Sequence, residues 1–226
     1  MRMRRKKHLE ERLEGAGEYI VFSEAGGIYD LPEKERFRYI EKKEVFGNDN
    51  PLLLEIGCGK GKFSCELAER DPGRNVLGVE KLSNVIVDAA ERAKKSGLPN
   101  CRYLNCDAQN LRYYLKDDSV LAIYLNFSCP YPKNTYKNRR LTNPAFLGIY
   151  KRILKKGGKI YLKTDNRKFF EYSVVSFSSS GFRIDDLSLD LHADDYSDNI
   201  ETEYEKIFSD RGMNIYYAEV TAIDEE

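Results

Sequence analysis

The stretch Leu52-Leu53-Leu54-Glu55-Ile56-Gly57-Cys58-Gly59-Lys60-Gly61 decides the architecture. Leu52–Ile56 is a short apolar run of the kind that suits a strand buried on both faces of a sheet. Three glycines on alternate positions follow it, and Lys62–Arg70 then presents Phe63, Leu67 and Ala68 at helical spacing. Strand, glycine turn and helix in that order open an α/β unit. The same alternation continues outward. Further apolar runs lie at Asn75–Val79, Arg102–Leu104, Val120–Leu125, Lys159–Leu162, Phe182–Leu189 and Asn214–Val220. Helical patterns separate them at Ser83–Ser96, stopped by Gly97, at Asn143–Lys155, ended by Gly157-Gly158, and at Asn166–Ser180, stopped by Gly181. The pattern predicts an α/β fold: a Rossmann-like, doubly wound, mostly parallel seven-stranded sheet with helices on both faces. The last two strands have only the acidic Asp190–Asp210 between them, so they are free to pair differently. Residues 1–50 are polar and read as a basic N-terminal extension, partly flexible, with a short helix around Glu33–Glu44. Residues 51–226 carry the domain.

Composition removes several classes. The 226 residues are 41% hydrophobic, enough for a core, and no stretch approaches the roughly 20 apolar residues of a membrane span. Residues 1–14 are charged throughout, which excludes the apolar core of a signal peptide. Five cysteines without a C-x-x-C pair, and two histidines, argue against a zinc site or a disulfide framework. The expectation is a cytoplasmic, metal-free protein. Lys+Arg and Asp+Glu are both 37, but the charge is unevenly spread. Tyr131–Lys168 holds twelve bases and one acid, Asp165, whereas Asp185–Glu226 holds fourteen acids and two bases. The basic stretch is interleaved with Tyr131, Tyr136, Phe146, Tyr150 and Tyr161. That pattern suits a polyanion as well as it suits a solvated face.

Gly57-x-Gly59-x-Gly61 fits neither the dinucleotide G-x-G-x-x-G spacing nor the P-loop. Glu80 ends the next strand, where a carboxylate can accept from both hydroxyls of a ribose. Asp107 closes the third strand in Asn105-Cys106-Asp107-Ala108 and can accept from an adenine amino group. A glycine turn with two strand-end caps is the bland alternative. Three such features in order favour nucleoside binding. After the fourth strand comes Asn126-Phe127-Ser128-Cys129-Pro130-Tyr131-Pro132-Lys133, then Lys137, Arg139 and Arg140. The prolines stiffen the turn, the bases suit phosphates, and Tyr131 or Tyr136 could stack on an extruded base. Asp165, after the fifth strand, and Glu205, in Thr202-Glu203-Tyr204-Glu205-Lys206, could accept from a purine's N1–H and amino group.

On these residues the chain resembles class I S-adenosylmethionine-dependent methyltransferases, Glu55-x-Gly57-x-Gly59-x-Gly61 looking like their first motif. The proline-rich loop, Thr202-x-Tyr204-Glu205, Met1–Arg4 and Val45–Pro51 narrow it further. Nearly the whole chain is similar to bacterial tRNA (guanine-N7-)-methyltransferases. The resemblance implies transfer of a methyl group from S-adenosylmethionine to N7 of a guanine in the tRNA variable loop, position 46. It implies cofactor contacts from Glu55, Gly57, Gly59, Gly61, Glu80, Asp107, Ala108, Asn126 and Cys129. It implies substrate contacts from Lys133, Asp165 and Thr202, Glu203, Tyr204 and Glu205, to which Lys137, Arg139 and Arg140 are added on charge. The partner is then tRNA, and the protein a monomer or homodimer with no obligate protein partner.

One departure stands out. The family usually reads Asn-Phe-Ser-Asp-Pro-Trp-Pro-Lys, whereas here Cys129 replaces the Asp and Tyr131 the Trp; the downstream Arg-His pair is Thr135-Tyr136. Guanine N7 carries a lone pair and no proton, so attack needs no general base. It needs alignment and stabilisation of the positive charge growing on the purine. Asp165 and Glu205 are expected to supply that charge, with Cys129 a small neutral substitute. The rival is a protein that binds tRNA and S-adenosylmethionine but is impaired in catalysis through Cys129. An NAD-dependent oxidoreductase would need the G-x-G-x-x-G spacing that the chain lacks.

Overall fold

The computed structural model describes residues 6–23, 28–194 and 196–223. Met1–Arg5, which belong to the basic N-terminus and to the resemblance, lie outside them. The chain forms two compact units, Met1–Tyr114 and Leu115–Glu226.

The first unit holds β1 (Ile20–Ser23), β2 (Leu52–Ile56), β3 (Asn75–Val79) and β4 (Cys101–Asn105), with α1 (Leu9–Gly15), α2 (Lys42–Phe46), α3 (Lys62–Arg70) and α4 (Ser83–Ser96). Its strands run in the order β1-β4-β3-β2, every pairing parallel. All five residues of β2 and all five of β3 are buried, as strands covered on both faces require. From α4, Ile86, Val87, Ala89, Ala90 and Ala93 form its buried face, and Gly97 stops it in the left-handed region at φ 65°.

β1 corrects the expected strand count and the boundary at residue 50. Ile20 and Phe22 pair with Tyr103 and Leu104, which makes an eighth strand within what looked like an extension. The expected helix at Glu33–Glu44 is broken. Its centre is extended because the Arg38 and Ile40 N–H groups donate to Tyr113 O and Tyr114 O at 2.8 and 2.9 Å. α1 is fixed to α4 by charge: Arg12 Nε and Nη2 donate to Glu91 at 2.7 and 2.5 Å, and Nη2 to Asp88 at 2.8 Å. Lys6 Nζ reaches Asp88 at 2.5 Å.

The second unit holds β5 (Val120–Asn126), β6 (Leu154–Thr164), β7 (Phe182–Ser188) and β8 (Tyr216–Ala222), with α5 (Pro144–Ile153), α6 (Arg167–Ser179) and α7 (Glu203–Ser209). β5 and β6 pair in parallel, while β8 pairs antiparallel to both β6 and β7 in the order β5-β6-β8-β7. The last two strands therefore do pair differently. The core contains Ile123, Leu125, Leu147, Tyr150, Ile160, Leu162, Phe177 and Val220. Eight mostly parallel strands among helices are the Rossmann-like α/β class expected, with one strand more than seven.

Candidate active site

In the first unit the site begins at the turn after β2. Gly57, Gly59 and Gly61 all sit in the left-handed region, at φ 81°, 57° and 74°. A side chain there would strain the backbone. The turn is tied to β3, since Val79 O accepts from Gly57 N at 2.8 Å and Cys58 N at 3.1 Å. The glycines have different jobs. A Cβ at Gly61 would lie 2.5 Å from Tyr103 Oη and 2.7 Å from Ala89 Cβ, so this glycine lets the turn close onto the core. A Cβ at Gly57 or Gly59 would meet nothing within 4 Å, so those two line open space.

Glu55 is buried and accepts a short hydrogen bond from Ser64 Oγ, the first turn of α3 holding the acid in place. Glu80 follows β3. One of its carboxylate oxygens accepts from Leu82 N at 2.9 Å, and burial pushes its pKa above the ordinary carboxylate range despite backbone donors that oppose it. Asn105 Nδ2 donates to Glu80 O at 2.8 Å and Asn105 Oδ1 accepts from Ser83 Oγ at 2.8 Å, joining the ends of β3, β4 and α4. The Cys58 thiol is pushed well up by burial and then by the nearby Glu55 and Glu80 charges, which keeps it neutral. Asp107 caps the following 3₁₀ turn by accepting from Gln109 N at 3.1 Å, with Ala108 buried beside it. The capping reading of Asp107 is thus realised, and its adenine contact stays a proposal.

In the second unit the loop after β5 is conformationally strained. Phe127 and Tyr131 both lie in the left-handed region, at φ 49° and 41°, a state costing on the order of 1 kcal/mol or more for a non-glycine residue. Cys129, exposed, stands midway between them; the other four cysteines are buried. Asn126 is buried at the end of β5. Ser128 Oγ is buried with no hydrogen-bond partner among the described residues. Lys133, Lys137 and Arg139 are exposed, the Arg139 guanidinium lying 5.0 Å over the Tyr136 ring.

Two expected substrate contacts are corrected. Arg140 is only 8% exposed. Its Nε donates to Pro130 O at 3.0 Å and its Nη2 to Tyr131 O at 3.0 Å, and its guanidinium lies 4.3 Å over the Tyr172 ring. It is turned toward the loop and away from solvent. Glu205 is fully buried. It completes a capping box with Thr202 and accepts from Lys163 Nζ at 2.6 Å and Asn199 Nδ2 at 2.5 Å. Thr202 N and His192 Nε2 stand 3.3 and 3.2 Å away. Both oxygens are taken, so this carboxylate cannot read a base. Asp165, by contrast, is half-buried after β6 and makes no hydrogen bond or ion pair with any described residue. Glu203 is exposed. Tyr204 is 60% exposed, its ring near-parallel to Phe208, which in turn stacks on Phe127 at 6.0 Å.

Residues 49–218 match the model of a family described as "Putative methyltransferase". The chain is 42% identical over 220 residues to the tRNA (guanine-N(7)-)-methyltransferase of Geobacillus sp. (strain WCH70), covering 97% of this chain and 95% of that protein. It is 44% identical over 220 residues to the protein of the same name from Listeria welshimeri, covering 97% of each. The chain belongs to this methyltransferase family. Solved structures under 25% identical share the fold. The 16S rRNA methyltransferase KamB aligns with a TM-score of 0.65 at 15% identity, over 83% of this chain and 95% of that one. An antibiotic-related methyltransferase aligns at 0.61 and 19%, over 86% and 100%.

The first unit of this methyltransferase fits the nucleoside cofactor of its family. The two glycines that leave open space make a cradle that side chains would fill, and Glu80 offers a carboxylate beside it. Among the described residues no cluster of three or more His, Cys, Asp or Glu could hold a metal ion, and no helix is long and apolar enough to cross a membrane. Sequence reasoning passed over Ser64, Tyr103, Asn105 and Ser128. Asn105 and Ser128 lay within motifs named for other residues, and a small polar residue at a strand end or inside a rigid loop is the signal that could have found them.

Proposed function

We propose that this methyltransferase transfers the methyl group of S-adenosylmethionine to N7 of a guanine in tRNA, at position 46 of the variable loop. The observation that carries this reading is the near full-length likeness to relatives named tRNA (guanine-N(7)-)-methyltransferase. When bound, S-adenosylmethionine supplies a methyl carbon made electrophilic by its sulfonium.

In the first unit, Gly57 and Gly59 keep side chains out of the cradle. Glu80, whose carboxylate Leu82 N orients, would accept from the two ribose hydroxyls. Glu55, fixed by Ser64, would hold the methionine end, and Asp107 and Ala108 would hold the adenine. In the second unit, Lys133, Lys137 and Arg139 donate to phosphates and set the register of the nucleic acid. N7 attacks through its lone pair, so no residue has to remove a proton. What remains is placement of the purine and negative charge facing it. Asp165, a half-buried carboxylate whose oxygens are uncommitted, is the residue that supplies both. Tyr204 offers the base an aromatic face.

The test uses unmodified tRNA and labelled cofactor, followed by borohydride–aniline cleavage. Incorporation of label with scission at one variable-loop guanine is the expected result. Tight tRNA and cofactor binding without incorporation would instead mark a binding protein that Cys129 has impaired.

A further inference from the structure

Arg140 was expected among the phosphate contacts, yet its charge is spent inside the second unit. The guanidinium is held along one edge and against one face. Its two donating nitrogens take Pro130 O at 3.0 Å and Tyr131 O at 3.3 and 3.0 Å, and its face lies 4.3 Å over Tyr172 of α6. The Tyr172 hydroxyl accepts from Asn143 Nδ2 at 3.2 Å, and Asn143 is the cap of α5. The start of α5 is bound to α6 again by the buried pair Thr142 Oγ1 and Ser173 Oγ, 2.8 Å apart. Arg140 therefore reaches from a rigid helix junction to the far side of the loop.

The loop itself needs such a tie. Both its left-handed residues, Phe127 and Tyr131, flank Cys129 by two positions. The near side is anchored by Phe127 N donating to Lys163 O at 2.8 Å and by the Phe127 ring on Phe208. The far side has the Arg140 bonds to the carbonyls of Pro130 and Tyr131. A planar fork spans two carbonyls in a way that a lysine ammonium cannot.

We propose that Arg140 is a positioning residue that holds the Phe127–Tyr131 turn, with Cys129 at its tip, in the geometry used for methyl transfer. The part concerning transfer rests on the methyltransferase reading above; the part concerning the loop does not.

Cys129 provides the reporter, because it is the one exposed cysteine of five. In the full chain, Cys129 tagged with a trifluoromethyl group should give a single sharp ¹⁹F resonance. Arg140→Lys, which keeps the charge and loses the fork, should broaden or split it. In untagged protein the same variant should slow single-turnover methyl transfer by about tenfold or more, the scale of a small misplacement. Its tRNA affinity should stay within about twofold and its salt slope should not change, since no phosphate contact is lost. Tyr172→Leu, which removes the stacking ring together with the hydroxyl that accepts from Asn143, should move the resonance and the rate in the same direction, whereas Tyr172→Phe, which keeps the ring, should not; this pair carries the test if Arg140→Lys does not fold. A wild-type resonance and rate in both Arg140→Lys and Tyr172→Leu would overturn the proposal. So would a lower salt slope in Arg140→Ala with an unchanged resonance, which would make Arg140 a phosphate contact. A wild type that fails to methylate tRNA would remove the methyltransferase reading, while the ¹⁹F result would still decide whether Arg140 holds the loop.

Discussion

Replacing Glu205 by Gln separates a structural carboxylate from one that serves the substrate. Every hydrogen-bond partner of Glu205 is a donor: Lys163 Nζ, Asn199 Nδ2 and Thr202 N. An amide offers one acceptor oxygen to these donors and turns its own NH₂ toward another. Lys163, whose side chain is 6% exposed, keeps Asn199 Oδ1 at 2.9 Å and Ile200 O at 2.7 Å but loses its counter-charge. Stranding one member of a buried pair costs about 3–5 kcal/mol. In a chain of this size each kcal/mol moves the thermal midpoint by about 2–4 °C, so Glu205→Gln should melt roughly 6–20 °C lower. Adding Lys163→Met should cost less than the sum of the two single changes, because the first has already broken the pair. Calorimetry gives the midpoints, and single-turnover transfer below both transitions gives the chemistry. The rate should stay within about tenfold, a barrier change of about 1.4 kcal/mol. An unchanged midpoint with a rate cut by about a hundredfold, the loss expected for a preorganised charge, would refute the reasoning and put the carboxylate against the substrate.

Three further outcomes are expected. Glu80→Gln should weaken S-adenosylmethionine binding by roughly 1.5–3 kcal/mol in calorimetry, the value of hydrogen bonds to a charged group. Because burial raises the folded-state pKa of Glu80, its contribution to stability is full below the unfolded-state pKa and is lost as pH rises through the folded one. The cofactor-free variant should therefore melt no lower than wild type at neutral pH, and a lower midpoint would contradict this. The Arg12 clamp has the opposite sign. Hydrogen bonds from Arg12 hold Glu91 low, and those from Lys6 and Arg12 hold Asp88 low against the opposing effect of burial. That stability is present above the ordinary carboxylate range and fades as pH falls through the lowered values, so Arg12→Ala should flatten the acid limb of the midpoint-versus-pH curve. Neutralising Lys137 and Arg139 together should reduce the slope of log affinity for tRNA against log salt by about 0.7–0.9 for each phosphate contact removed, whereas an unchanged slope would leave them a solvated face.

Where elements are defined by local chemistry, the sequence shows their bounds. β2, β3, α3 and α4 end where a buried run meets a glycine or a cap, and their observed limits coincide with the expected ones. β1 is different. Four residues are too few for periodicity to speak, and the segment becomes a strand through its parallel pairing with β4. β6 likewise starts at Leu154, earlier than Lys159, because pairing of Leu154 with Val120 extends it through a bulge and two glycines. Charge behaves in the same way at the site. Glu80 and Asp165 could be nominated from their places at strand ends. Arg140 and Glu205 looked equivalent to their neighbours, since nothing in a run of bases or acids tells which member will be turned inward and consumed.

That consumption narrows the chemistry. The positive charge that develops on a methylated purine asks for one nearby negative group, and the sequence offered three places for it. Cys129 offers a thiol in place of the carboxylate that the resemblance leads one to expect there. Glu205 accepts from three donors and its charge answers to Lys163. Asp165 is then the carboxylate of the three positions that makes no hydrogen bond or ion pair with a described residue, which is why the proposed reading assigns it the charge-stabilising role. Lys163, two residues earlier near the end of β6, is fixed by Glu205, Asn199 and Ile200, so the strand end that Asp165 follows is held without using the acid itself. A preorganised charge of this kind costs no reorganisation when the reaction occurs. On the proposed reading a thiol at position 129 is compatible with activity: the buried pair would supply rigidity, Asp165 would supply charge, and the loop carrying Cys129 would have only to keep its shape.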